Sequence, residues 1–179
     1  MPERPQTLGS DAELPNIMGW CKSPKKLPLF LQALDSPLPK IMEWLKNPKK
    51  FLVFFGGSDT GKTFFLSALI EYIISIPSTC YWTEAKLLSQ IRSSIEKMGD
   101  YSIAVNNATD DEFLIIDDFG SDWTEEILFS IVDTRYNSGK PTVLISDLSR
   151  KELEYYYPRL MSCVFSKENC IVDLSGMLC

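Results

Sequence analysis

Histidine is absent from this sequence, which removes any mechanism built on an imidazole base and the commonest zinc ligand. The five cysteines (Cys21, Cys80, Cys163, Cys170 and Cys179) are odd in number, widely spaced and contain no C-x-x-C pair. They argue against a zinc site and a disulfide framework, and for reduced thiols in an intracellular setting. No apolar run approaches the roughly 18 residues of a membrane span; the longest candidate, Phe64 to Ile76, is broken by Ser67, Glu71 and Ser75. Met1 to Ser10 is polar with Pro2 and Pro5, unlike a secretory leader. The expectation is a cytoplasmic protein, or one of the host cytoplasm or nucleus if the source is viral. Basic residues are also in short supply, 18 against 24 acidic ones for a net charge of −6. A surface devoted entirely to nucleic acid is excluded, and any DNA contact is local.

What remains is ordinary globular material. At 179 residues with 45% hydrophobic and 23% charged, the chain suits one domain with a real core. Its charge is unevenly placed. Lys22, Lys25, Lys26, Lys40, Lys46, Lys49 and Lys50 face only Asp35 and Glu43 between residues 22 and 50, a local balance of +5 that leaves about −11 for the rest. That stretch is either a solvated face or a contact for single-stranded DNA or an acidic partner. Eight of the eleven prolines also precede residue 50, leaving room only for short helices such as Leu29 to Leu34 and Pro39 to Lys46. The predicted organisation is an irregular, proline-rich arm over 1–28 and one folded domain over 29–179.

From Phe51 the punctuation changes. Phe51-Leu52-Val53-Phe54-Phe55 is a short apolar run closed by Gly56-Gly57, as in a strand buried on both faces. A helix is predicted from Lys62 to about Ser75, stopped by Pro77. A strand follows over Thr79 to Trp82, then an amphipathic helix over Glu84 to Met98 with Leu87, Leu88, Ile91 and Ile95 on one side. Gly99 to Asp111 reads as a loop. Phe113 to Ile116 is a third strand, Thr124 to Tyr136 a helix capped by Thr124, Thr142 to Ile145 a fourth strand and Cys170 to Asp173 a fifth. Alternating strands and helices predict a three-layer α/β domain with a parallel sheet.

Gly56-Gly57-Ser58-Asp59-Thr60-Gly61-Lys62-Thr63 fits G-x-x-x-x-G-K-[ST] at every fixed position, between a predicted strand and a predicted helix. Backbone N–H groups of such a loop close around a polyphosphate, and the helix N-terminus adds its partial positive charge. Gly56, Gly57, Ser58, Asp59, Thr60, Gly61, Lys62, Thr63 and Phe64 are therefore the candidate ATP-binding residues. Lys62 would reach the β and γ phosphates, and Thr63 would ligate Mg²⁺. Asp59 is expected to face solvent, since a carboxylate toward the phosphates is unfavourable.

Phe113-Leu114-Ile115-Ile116-Asp117-Asp118 is an apolar strand ending in two carboxylates, the pattern of a Walker B motif. Asp117 would hold Mg²⁺, and Asp118 would polarise an attacking water; a kinase, whose acceptor is a substrate hydroxyl, has no need of the second acid. The fourth predicted strand ends Ile145-Ser146-Asp147. Asp147 is either a γ-phosphate sensor or water-positioner between the two motifs, or the N-cap of a helix that starts near Ser149.

The string from Phe113 to Leu148, F-L-I-I-D-D-F-G, then D-T-R-Y-N-S-G-K-P-T, then V-L-I-S-D-L, resembles the core of the AAA+ helicase loaders of the DnaC and DnaI type and the related transposition ATPase IstB. The resemblance covers about Phe51 to Gly176. It implies the AAA+ (ASCE) P-loop fold with a five-stranded parallel sheet in the order 5-1-4-3-2 and no separate lid domain. It also implies an ATP-controlled protein that delivers a replicative helicase or a transposase to DNA.

The departures from the family pattern bear on activity. Where the family has T-S-N, this chain has Ile145-Ser146-Asp147. The family's R-I-x-S-R-L, whose second arginine reaches into a neighbouring subunit's ATP, corresponds to Arg159-Leu160-Met161-Ser162-Cys163-Val164, so that finger position is Cys163. The chain stops at Cys179, where the family continues with D-x-R. Weak intrinsic ATP hydrolysis is therefore expected, or a finger supplied by a homologous AAA+ subunit; Arg159 and Arg135 are either substitutes for it or, the favoured reading, structural ion-pair residues. Two other readings stand beside the loader. One is a viral superfamily-three helicase core, suggested by Lys40 to Lys46 but disfavoured by the lack of basic loops and of a finger. The other is a nucleotide-dependent adaptor or inhibitor without turnover.

Overall fold

The computed structural model describes residues 38–58, 60, 62, 66, 69, 79–98, 102–120 and 125–175. The arm over 1–28, the helix expected at Leu29 to Leu34 and the Thr124 cap lie outside them, as do Asp59, Gly61, Thr63 and Phe64.

Five strands form one sheet: β1 (Phe51–Phe55), β2 (Thr79–Thr83), β3 (Phe113–Asp117), β4 (Thr142–Ser146) and β5 (Cys170–Asp173). Their order is β2-β3-β4-β1-β5 and every neighbouring pair is parallel. This is the expected order, 5-1-4-3-2, read from the opposite edge. The continuous apolar runs belong to the middle of the sheet, where all five residues of β1 and of β4 are buried. The edge strands β2 and β5 are less uniformly covered, which is why only the inner strands read as unbroken hydrophobic runs.

The helices are α1 (Leu38–Lys46), α2 (Glu84–Met98), α3 (Ser102–Asp110), α4 (Glu125–Asn137), α5 (Arg150–Tyr156) and α6 (Pro158–Val164). One sheet face packs Leu114, Ile116 and Leu144 against Leu87 and Ile91 of α2, Leu128 and Val132 of α4, and Leu160 of α6. The other packs Leu52, Phe54, Ile115 and Ile145 against Ile41 and Trp44 of α1 and against Leu66 and Leu69, which follow the phosphate loop. Side chains of this size, fully buried, stabilise the fold by about 1.5–3 kcal/mol each. The result is the expected three-layer α/β domain.

Two expectations need correction. Residues 102–110, read as loop, form α3. Its sequence is polar and rich in β-branched and small residues, but Val105 and Ala108 are buried on one side. Distant cations satisfy its terminal carbonyls: the Arg135 guanidinium donates to Ala108 O, Thr109 O and Asp111 O, and Lys140 Nζ to Thr109 O and Asp110 O. Strands β2, β3 and β4 also run one residue further than expected, to Thr83, Asp117 and Ser146. Asp117 is thus the last residue of β3, in register with Thr83.

Candidate functional site

The phosphate loop leaves β1 at Gly56, whose φ of +150° is open to glycine and strained for other residues. A Cβ there would stand 3.0 Å from the backbone of Leu174 and Ser175, and Leu174 N–H donates to Phe55 O at 2.8 Å. The segment after β5 thus clamps the start of the loop. Across the turn, Thr60 Oγ1 donates to Gly57 O at 3.0 Å.

Lys62 is only 7% exposed. Its Nζ donates to Gly56 O at 2.6 Å, to Gly57 O at 2.5 Å and to Thr60 Oγ1 at 3.1 Å, and it pairs with Asp147 Oδ1 at 2.8 Å. An ammonium has three protons, so these four acceptors saturate it. The lysine thus ties its own loop to the tip of β4.

Asp147 is therefore not the helix cap. That position belongs to Ser149, whose Oγ accepts from Glu152 N–H while the Glu152 carboxylate accepts from Ser149 N–H, a reciprocal capping box at the start of α5.

At the end of β3, the Asp117 carboxylate is fixed at both oxygens. Oδ1 accepts from Asp118 N–H at 3.0 Å, and Oδ2 accepts from the Tyr81 hydroxyl at 2.9 Å. Burial holds the Asp117 carboxyl above its ordinary value; the Tyr81 hydrogen bond opposes that rise, and the charges of Asp118 and Asp147 add to it. β3 and β4 are neighbouring parallel strands with Ile116 in register with Leu144, so their C-terminal tips lie side by side. Burial and the Asp117 charge likewise push the Tyr81 phenol well up, so it remains a donor.

Asp118 has a φ of 58°, a left-handed conformation costing about 1–2 kcal/mol in a residue with a Cβ. The surroundings enforce it: Phe119 N–H donates to Ile145 O at 2.8 Å, Ser146 Oγ to Phe119 O at 2.5 Å and Tyr157 Oη to Gly120 O at 3.1 Å. The turn carrying the second acid is thus bolted to β4 and to the residue between α5 and α6.

Of the sequence-predicted residues, Gly56, Gly57, Thr60, Lys62, Asp117, Asp118 and Asp147 gather at the C-terminal edge of the parallel sheet, where ligands of open α/β folds bind. Ser58 is exposed on the loop. Sequence reasoning missed Tyr81. In β2, T-C-Y-W-T, Cys80 and Trp82 turn to one core and Tyr81 to the opposite face, and only the pairing of β2 with β3 brings it one diagonal step from Asp117.

Among the described residues, the carboxylates at this edge are Asp117, Asp118 and Asp147, beside the Lys62 ammonium. Among the described residues no group of three or more histidine, cysteine, aspartate or glutamate side chains could hold a metal ion. A single carboxylate such as Asp117 suits Mg²⁺, which keeps several waters and takes its other ligands from phosphates.

The candidate replacement fingers separate clearly. Arg135 is fully buried. Its Nε donates to Thr142 Oγ1 at 2.8 Å and its other donors reach four backbone carbonyls; burial lowers its pKa to about 10, still a cation at neutral pH. It cannot reach another subunit. Arg159 is exposed on α6 with its guanidinium 4.7 Å from the Phe129 ring centroid. Cys163, where the sequence resemblance expects the finger, is half-buried 3.8 Å from Asp133 Oδ1.

The family model of the bacterial DnaA ATPase domain matches residues 38–167. The chromosomal replication initiator protein DnaA of Geobacter sulfurreducens is 28% identical over 117 residues, 60% of this chain and 26% of that protein. This chain therefore spans about a quarter of that relative's length. Domain III of the Thermotoga maritima replication initiation protein DnaA superposes with a TM-score of 0.63 at 25% identity, over 76% of this chain and 60% of that one. The DnaC helicase loader gives 0.57 at 20% identity, over 75% of this chain and 87% of that one, a likeness of fold.

Proposed function

The chain belongs to the bacterial DnaA ATPase domain family, and from that premise we propose that it is an ATP-controlled AAA+ protein of DNA replication that delivers a replicative helicase, or a transposase, to DNA. The observation that carries its ATP-binding core is the Lys62–Asp147 pair at the tip of β4, with Asp117 at the end of the adjacent β3. In this reading residues 56–64 wrap the phosphates, with Lys62 on the β and γ groups. Thr63 and Asp117 hold Mg²⁺, which when bound neutralises charge on the phosphate oxygens. Asp118 polarises the attacking water, and Asp147, released from Lys62, senses the γ-phosphate.

Residues 29–179 form the ATPase domain and 1–28 the arm. The lysines between 22 and 50 contact single-stranded DNA or the partner, with Lys50 excepted: it pairs with Glu168 at 3.2 Å and caps Tyr136 O. No helix among the described residues is long and apolar enough to cross a membrane, and the proposed setting is the cytoplasm.

Cys163 at the finger position favours slow turnover, and with it a second reading, a nucleotide-dependent adaptor that binds ATP and waits for a homologous subunit's arginine. ATP turnover of the purified chain, alone, with single-stranded DNA and with a replicative helicase, tests both. The loader reading expects a low basal rate raised by the helicase and DNA. Tight ATP binding with no turnover under any condition favours the adaptor, and DNA unwinding by the chain alone contradicts both.

A further inference from the structure

The Asp117 carboxylate has a partner that the fold supplies from a different strand. Tyr81 lies on β2, at the sheet edge, and Asp117 ends the adjacent β3; Tyr81 is in register with Ile115, two residues before Asp117. Its phenol spans that diagonal step and donates to Asp117 Oδ2 at 2.9 Å. The other oxygen is held by the N–H of Asp118 at 3.0 Å, a residue itself locked in the left-handed region. Among the described residues each oxygen receives one proton donor, which leaves a second lone-pair direction on each. A carboxylate on a single χ2 axis, gripped at both ends, has its plane determined before any cation arrives.

We propose that Tyr81 is a positioning residue for Mg²⁺: its hydroxyl sets the plane of the Asp117 carboxylate, so that a remaining lone pair of that side chain is presented to the nucleotide-bound cation without rotation. The inference rests on the reading of Asp117 as the Mg²⁺ carboxylate. Tyr81 does not touch the cation or the phosphates and acts only through Asp117. Outer partners of metal-binding carboxylates commonly carry tenfold to a hundredfold of metal affinity, because an unheld ligand must be ordered when the metal binds.

Two alternatives compete with this assignment. If the phenol merely fills space at the edge of the core, removing the oxygen leaves metal affinity alone. If it competes with the cation for Oδ2, removing the oxygen strengthens metal binding. The three cases differ in sign as well as size.

The test uses Mn²⁺ as the spectroscopic probe, titrated by electron paramagnetic resonance into the full chain saturated with ADP, in parallel with nucleotide affinity measured in EDTA. For Tyr81→Phe the expected result is an Mn²⁺ dissociation constant about tenfold higher, with metal-free ADP affinity unchanged, which also certifies that the variant's site is folded. Asp117→Asn and the double variant complete a cycle. If Tyr81 acts through Asp117, Tyr81→Phe adds no further loss once Asp117 is replaced. Unchanged or tighter Mn²⁺ binding in Tyr81→Phe overturns the proposal, as do additive losses in the double variant. Failure of the wild-type chain to bind ADP at all overturns the nucleotide reading together with this one. ADP binding that needs Lys62, combined with an indifferent Tyr81→Phe, removes this one alone.

Discussion

Lys62 Nζ lies 2.8 Å from Asp147 Oδ1, joining the phosphate loop after β1 to the tip of β4. The pair is asymmetric: Lys62 is 7% exposed and Asp147 55%. Solvent screens the aspartate, and three loop oxygens share the ammonium. Asp147→Asn should therefore cost the nucleotide-free protein only about 0.5–1 kcal/mol, read as a lower urea midpoint with an unchanged slope. A loss of several kcal/mol would mean that the carbonyls do not support the buried ammonium.

Arg135 is expected to matter far more. It satisfies carbonyls of the α3 terminus and of Pro141 and bonds the Thr142 hydroxyl, all from a fully buried position. Arg135→Ala strands these acceptors and should destabilise the domain by about 3–5 kcal/mol. Chemical denaturation measures it. Amide hydrogen exchange of Ala108 to Asp111 should rise first, because α3 loses its cap.

Much of this domain is legible along the chain because its inner strands are buried on both faces. Phe51 to Phe55, Phe113 to Ile116 and Thr142 to Ile145 must read as apolar runs, and the glycines and lysine between β1 and its following helix must keep their spacing. The parts that were not legible depend on residues far apart in sequence. Helix α3 looks like a loop because Arg135 and Lys140, about 25 to 30 positions later, supply its cap. Arg135 reads as a replacement finger or an ion-pair residue until the carbonyls around it are known. Tyr81 looks like a core aromatic until β2 is set beside β3, and Asp147 could pass for an N-cap until Ser149 is found in that role.

Thiol chemistry gives an independent check on packing. Burial, and then the Asp111 charge, push the Cys80 thiol from 9.0 up to about 12. The folded state holds the proton more tightly than the unfolded chain. That contribution to stability is therefore complete below pH 9 and lost as pH rises through about 12. At pH 8 almost no thiolate is present. Cys80 should resist a thiol reagent in the native protein and react once the domain is unfolded in urea; rapid native labelling, located by mass spectrometry, would contradict the packing of β2.

Turnover tests the finger position. Cys163→Arg should raise ATP hydrolysis by about tenfold or more, in a manner that depends on protein concentration. Asp118→Asn in the same background should remove the gain while leaving nucleotide affinity intact. A variant with no effect on rate would place the finger elsewhere.

The central claim is that this loop holds ATP through Lys62. The most direct measurement is the equilibrium binding of a fluorescent ATP analogue with Mg²⁺ to the wild-type chain and to Lys62→Ala. Loss of the charged hydrogen bonds to the phosphates predicts saturable wild-type binding that is weakened by about a hundredfold in the variant. Equal affinity in the two proteins, with both folded, would contradict the account.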